Sequence, residues 1–423
     1  MRIKYNYLLI ALFLPFLSLS AQTTKEEVMK NILQAGSTYY SYPTPTGKLT
    51  PAPKGYKPFY ISHYGRHGSR YITSSKYYIN AISVMNSADS LGKLTGYGKD
   101  VLKRLNTAYA DAYLRDGDLS KLGGRQHRAI ANRMYRNFPE VFLPGTPIDA
   151  KSSTVMRCAI SMSNFCLALQ GLNPKLDISM ETSKRNMWYI ANDADDSIPK
   201  SPADKEIDKR YNEYRVSMFH TSRLMSKLFT DASYVKDHVD AYKLMRGLWN
   251  IAEDMQCQPE LKLSFFDLFT NDELFDIWQS DNAGWYYWIG LFPGSTPQYK
   301  GHYGLLRNIL DTADKAIRNN GNSVTLRFGH DSILTPLAFL LHLKGCDTIT
   351  DDMDNLYKYW ANFKITPMGG NIQMIFYRKS GSNDVLVKFL LNEHETSIPV
   401  KTDVAPYYHW KDVETFYRTE LAK

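Results

Sequence analysis

Cysteine is scarce in this chain of 423 residues: Cys158, Cys166, Cys257 and Cys346 are all it has. None stands in a C-x-x-C pair, which excludes a zinc knuckle and a thioredoxin-type motif. Cys158 and Cys166 fall on one predicted helix, where eight residues rise about 12 Å, beyond the roughly 7 Å reach of a disulfide. Mostly buried free thiols are expected, with a Cys257–Cys346 pair left open. The fold does not depend on disulfides, and the chain suits a periplasm or the extracellular space. Long apolar runs are absent after the first 21 residues, which excludes a polytopic membrane protein. Internal repeats and low-complexity tracts are absent too. A hydrophobic content of 43% excludes a disordered chain. The charge excess is only a formal +8, suited to anionic small molecules and too weak to point to nucleic acid. The length fits two or three domain-sized units, or one large domain with an insertion, and buries a sizeable core without staples.

The one apolar run lies at the N-terminus. Arg2 and Lys4 precede Tyr7 to Leu17, and Ser18, Ser20 and Ala21 supply the small residues of a cleavage site. This reads as a signal peptide over residues 1–21, removed from a secreted or periplasmic protein. A membrane anchor is the alternative, but the run is short and no basic stop-transfer cluster follows. No membrane span is expected after signal removal.

Prolines 43, 45, 51, 53 and 58 make residues 42–58 an extended surface wrap. Strands are predicted at 59–62, 148–152, 323–328 and 385–391. Helices are predicted over 24–34, most of 75–138, 153–169, much of 205–318, 335–343 and 410–421. The acidic, Pro-containing stretch 192–203 reads as a surface loop. Strands separated by helices imply an α/β fold, a mostly parallel sheet with flanking helices, and the long helical middle implies an inserted, mainly α-helical cap domain. The expected division is an α/β unit over 22–165, the cap over 166–319 and the second part of the α/β unit over 320–423. In open α/β sheets, ligands sit at the carboxyl ends of strands. Three polar clusters fall there: 63–70, 152–157 and 329–331.

Arg66-His67-Gly68-Ser69-Arg70 sets two guanidiniums around one imidazole, with a Gly that permits close backbone approach. Arginine presents a planar fork of donors matched to phosphate oxygens. An imidazole held among cations stays neutral and can act as a nucleophile. The pentapeptide by itself reads equally as an oxyanion pocket around a reactive His or as a basic surface turn. A metal site on His63 and His67 is disfavoured, because the segment leaves a strand and no further ligand cluster stands nearby. Gly329-His330-Asp331 adds a carboxyl able to protonate a leaving alkoxide and an imidazole able to donate to a phosphoryl oxygen. Alone it would be a turn. Arg157 alone would be an ordinary helix-surface arginine.

Arg66-His67-Gly68-Ser69-Arg70 with Thr73 resembles the R-H-G-x-R-x-P-T signature of the histidine acid phosphatases. Gly329-His330-Asp331 after Phe328 resembles their H-D signature. Leu119-Ser120-x-x-Gly123-x-x-Gln126, Ser152-Ser153-x-x-x-Arg157 and the strand end Val387 to Asn392 are similar to three further family motifs. The similarity runs over about residues 57–395 and extends to the branch with phytases and multiple inositol polyphosphate phosphatases. It implies that His67 is the nucleophile and Asp331 the proton donor. Arg66, Arg70, Arg157 and His330 would bind phosphate oxygens, with Thr73 at the family's pocket threonine. It implies no metal and no other cofactor, since three guanidiniums and an imidazole can supply the charge neutralisation.

Three departures bear on substrate. Ile72 replaces the signature proline. Ser74 stands where phytases often carry Lys, with Lys76 two positions later. His330-Asp331 replaces the H-A-E usual in the inositol polyphosphate phosphatases. The leading expectation is a secreted phosphomonoesterase acting through a phosphohistidine on phytate or a related inositol polyphosphate. A broad acid or sugar-phosphate phosphatase is the alternative. Phosphoglycerate mutase chemistry is disfavoured by the signal peptide and the large insertion. A polyanion-binding protein without catalysis would need neither His67 nor Asp331. A carbohydrate-binding module is suggested by 30 Tyr and 7 Trp, but Trp278, Trp285 and Trp288 fall at helical spacing and read as cap core.

Overall fold

The computed structural model describes residues 24–191 and 198–422. The expected signal peptide lies outside the described residues, as do residues 192–197 of the expected acidic loop. Eight strands form one mixed sheet: β1 Tyr56–Arg66, β2 Pro147–Ser152, β3 Asp177–Thr182, β4 Ser323–Gly329, β5 Asn371–Lys379, β6 Val385–Leu391, β7 His394–Thr396 and β8 Tyr407–His409. Their order is β3-β2-β4-β1-β5-β6-β7, with β8 pairing β6. The block β3-β2-β4-β1 is parallel. β5 runs antiparallel to β1 and starts an antiparallel extension.

Side chains alternate between the two faces of the sheet, as the period of two requires. Tyr60 and Tyr64 of β1 join Ile372, Met374 and Phe376 of β5 under the helices Tyr303–Asn319, Asp331–Leu340 and Trp410–Glu420. Ile61, Ile375 and Tyr377 face the other way, under Lys121–Asn137 and Met156–Leu172. The sheet is therefore buried on both faces, which is why its inner strands read as near-continuous apolar runs.

A helical cap packs its own core beside this sandwich. Tyr78, Met85, Val101 and Leu105, from Lys76–Ser90 and Gly96–Ala112, meet Leu248, Trp249, Ile277 and Trp278, from Ala241–Asp254 and Asn271–Trp288. The helix Met156–Leu172 runs through the expected 165/166 boundary, and Tyr303–Asn319 lies on the sheet. The helix expected from 335 begins at Asp331, so Pro336 sits inside it. Strands β3, β5, β7 and β8 were not expected; β5 begins just after Gly369 and Gly370 at the sheet's centre. All four cysteines are free and buried. No helix of the described residues is long and apolar enough to cross a membrane.

Candidate active site

The register of the sheet assembles the site. Arg66 at the end of β1 pairs with Gly329 at the end of β4, so His67 and His330 leave adjacent parallel strands side by side. Ser152 pairs with Phe328, which puts Ser153 next to them. The His67 backbone N–H donates to Gly329 O at 2.9 Å, and Gly369 N–H donates to His67 O at 2.9 Å. The nucleophile candidate is thus held from both neighbouring strands.

His67 is 1% exposed. Its Nδ1 lies 2.9 Å from Gly68 O. A carbonyl can only accept, so Nδ1 carries the proton and Nε2 keeps its lone pair. Burial, then Arg66, Arg157 and Arg70, hold the imidazole well below its ordinary pKa. It is neutral, as an attacking nitrogen must be. The His330 ring stands edge-on at 5.7 Å, with its Nε2 3.2 Å from Ser153 Oγ.

Arg66 is fully buried. Its Nη1 donates to the carbonyls of Thr38 and Thr366, and its Nη2 lies 2.6 Å from Asp331 Oδ2. Asp331 opens the helix Asp331–Leu340 and accepts Ser332 N–H on Oδ1 at 3.0 Å. Burial alone would raise this carboxyl, but Arg66, Arg70 and His330 outweigh it and hold it below the usual range. The Arg70 guanidinium stacks 4.6 Å over the Tyr39 ring and donates to Tyr71 O at 3.1 Å. Arg157 lies in the first turn of Met156–Leu172, with Nη1 3.1 Å from where a Cβ at Gly117 would stand. Thr73 Cγ2 is 3.8 Å from the same point. Thr73 is exposed, so it lies at the rim.

The motif at 119–126 holds the 67–70 loop. Ser120 N–H and Oγ both donate to Ser69 O, at 2.9 and 3.1 Å. Gln126 Oε1 accepts Ser69 N–H at 2.8 Å, and its Nε2 donates to Ser69 Oγ at 3.0 Å. A Cβ at Gly68 would stand 2.5 Å from Gly123 O, and one at Gly123 would stand 2.2 Å from Ser69 O. Both glycines are required by this close approach of two backbones. Asn392 performs a similar task behind the site. Its Oδ1 accepts Asn371 N–H at 2.9 Å, and its Nδ2 donates to the carbonyls of Lys364 and Ile365.

All seven residues expected at the site gather at this one end of the sheet. His63 is different: its ring packs against Phe165 and Phe328 in the core under Met156–Leu172. No group of three His, Cys, Asp or Glu able to hold a metal occurs among the described residues. Several neighbours carried no sequence signal. Asp254 accepts Ile72 N–H, Gln258 donates to Arg70 O, and Cys158 Sγ lies 3.6 Å from His330 Nε2. Asp254 and Cys158 lie on helices and Gln258 between two short 3-10 turns, where nothing in the local pattern sets them apart.

A pocket of about 440 Å³ opens from Arg70 and Asp331 toward the cap. Trp285 and Trp288 line it, with Trp288 40% exposed. The expectation that these tryptophans are cap core holds for Trp278 alone, which is fully buried. Trp285 lies two turns further along the same helix, where the pocket interrupts the packing.

The family model described as histidine phosphatase superfamily (branch 2) matches residues 65–392. No curated protein matches the chain. Among solved structures, the fold is similar to the multiple inositol polyphosphate phosphatase of Bifidobacterium longum in complex with inositol hexasulfate. That match has a TM-score of 0.73 and 20% identity, over 91% of this chain and 97% of that one. The phytase of D. castellii aligns with a TM-score of 0.69 and 16% identity, over 92% and 85%. The phytase of Citrobacter braakii aligns at 0.55 and 15%, over 86% and 98%. At these identities the structural likeness is one of fold.

Proposed function

The chain belongs to the histidine phosphatase superfamily, branch 2, as a phosphoric monoester hydrolase, and from that premise we propose that it works through a phosphohistidine on His67. The observation that carries this is the neutral His67 ring, its Nε2 lone pair free, with the Arg66, Arg70 and Arg157 charges bearing on it. Those guanidiniums and His330 bind the phosphoryl oxygens, and Thr73 lies at the rim. Nε2 attacks phosphorus as the ester P–O bond breaks, and the leaving oxygen takes a proton from Asp331. Water then attacks phosphorus as the N–P bond breaks, giving its proton to the Asp331 carboxylate and releasing phosphate and His67.

Asp331 is ionised when paired with Arg66 alone, so it must gain a proton on binding. A phosphate ester brings up to about two negative charges to the same guanidinium. It competes for Arg66 and repels the carboxylate, and both effects raise the pKa of Asp331. The ion pair is thus the resting state of a group that becomes an acid when substrate arrives.

The substrates we propose are inositol phosphates, phytate or less phosphorylated forms, for a protein secreted after loss of residues 1–21. The aromatic lining of the pocket favours a second reading, a broad acid or sugar-phosphate phosphatase. Quenching turnover in alkali, where a histidine N–P bond survives, should trap labelled phosphate on His67, and His67→Ala should abolish turnover while the protein stays folded. Label on a serine or aspartate would overturn the mechanism.

A further inference from the structure

The pocket beyond the phosphate end has a chemistry of its own. Besides Arg70, its one cation among the described lining residues is Arg246. Arg246 is already neutralised: its Nη1 lies 2.6 Å from Asp281 Oδ1, while Asp281 Oδ2 accepts Trp249 Nε1–H at 3.0 Å. A second acid, Glu253, lies in the same wall beside the Asn250 amide. Burial first, and then Asp281, push the Glu253 carboxyl well above its ordinary pKa. The remaining surface includes Tyr77, Tyr211, Trp285 and Trp288, and no described lining residue is a lysine.

This wall discriminates between two substituents on a ring. A hydroxyl can donate to Asp281 or Glu253 and accept from Asn250, and the C–H face of the ring can lie on an aromatic side chain. A further phosphate has no proton to offer Asp281 once ionised, and it meets that carboxylate with no spare cation beside it. Resting on the phosphomonoesterase reading above, and narrowing its substrates from phytate toward the less phosphorylated forms, we infer that this pocket selects a cyclic polyol with free hydroxyls beside the phosphate attacked. Lower inositol phosphates and hexose monophosphates have that chemistry, and myo-inositol hexakisphosphate does not. Glu253, Asp281 and Trp288 are the specificity-determining positions.

The test compares kcat/KM for myo-inositol monophosphate, glucose 6-phosphate, myo-inositol hexakisphosphate and nitrophenyl phosphate at fixed salt. The expected preference for monophosphate over hexakisphosphate is about tenfold or more, and the two monophosphates together separate inositol from sugar as the ring recognised. Asp281→Asn removes the carboxylate that neutralises Arg246 and frees that cation. Trp288→Lys adds a cation at a rim position that is 40% exposed. Each should move the monophosphate to hexakisphosphate ratio toward hexakisphosphate by about three- to tenfold. Hexakisphosphate preferred by the wild type, or ratios unmoved by Trp288→Lys, would overturn the selectivity while leaving the phosphatase reading standing. Failure to hydrolyse even nitrophenyl phosphate would overturn both.

Discussion

The backbone N–H of Ile72 donates to Asp254 Oδ2 at 3.0 Å. Gln258 Nε2 donates to the same oxygen at 3.1 Å and to Arg70 O at 3.0 Å. One buried carboxylate at the end of a cap helix therefore grips the turn that carries Arg70. Position 72 is where the resembled signature has proline, which has no N–H to give. The departure from the signature is the point at which this cap holds this loop.

Ile72→Pro should therefore weaken the protein, although it restores the signature. It leaves Asp254 short of a donor, and a lost buried hydrogen bond costs about 1–3 kcal/mol. Ile72→Val keeps the N–H and should cost about 0.5–1.5 kcal/mol, as a buried methylene does. Urea unfolding of both variants checks the difference. Equal losses would show that side-chain packing, not the N–H, matters at this position.

Gly123→Ala should cost activity at a distance from the chemistry. The new Cβ would stand 2.2 Å from Ser69 O and 2.9 Å from Ser69 N, so backbone must move. Overpacking of this kind costs about 1–3 kcal/mol. The shift displaces the 67–70 loop, and misplacement of about 1 Å can cost on the order of 10²-fold in rate. Activity on nitrophenyl phosphate, read beside the melting temperature, would separate loop displacement from unfolding.

Asp331→Asn should discriminate between leaving groups. An inositol or sugar alkoxide needs a proton as the ester bond breaks, whereas nitrophenolate leaves without one. General-acid help is worth about 10²–10⁴-fold, so kcat/KM on alkyl phosphates should fall by roughly that factor and much less on nitrophenyl phosphate. Arg157→Ala removes a phosphate ligand common to both and should lower both alike. Equal losses for Asp331→Asn on the two substrates would refute its role as leaving-group acid.

His127→Leu should make stability less sensitive to acid. His127 stands among Phe165 and Phe328, and burial depresses its pKa from 6.5 to about 3. With the folded value below the unfolded one, the unfolded chain binds the extra proton between these values. The stability is fully present above pH 6.5 and is lost as pH falls toward about 3. At pH 5 the wild type should have lost about 2 kcal/mol through this group relative to pH 8. The variant should keep that amount, which urea midpoints at the two pH values would show.

Chemistry confined to short segments was legible in the sequence. Arg66-His67-Gly68-Ser69-Arg70 and Gly329-His330-Asp331 each follow a strand made of β-branched and aromatic residues, so local pattern alone placed both at strand ends. The α/β class followed from strands alternating with helices. What the pattern missed is also instructive. Strand β3 is a short edge strand with little burial. The helix at Asp331 was obscured by Pro336, which in isolation favours a later start.

Tertiary structure alone decided which strand ends meet. The Arg66–Gly329 and Ser152–Phe328 registers are pairings between segments far apart in the chain, and no local propensity encodes them. The same holds for the Asp254 grip on Ile72 and the neutralised Arg246 in the pocket wall. A carboxylate on an amphipathic helix looks the same in sequence whether it faces water, a backbone N–H or a substrate. Its role depends on what the fold puts opposite it, because electrostatic and hydrogen-bond energies depend on distance and burial rather than on residue type.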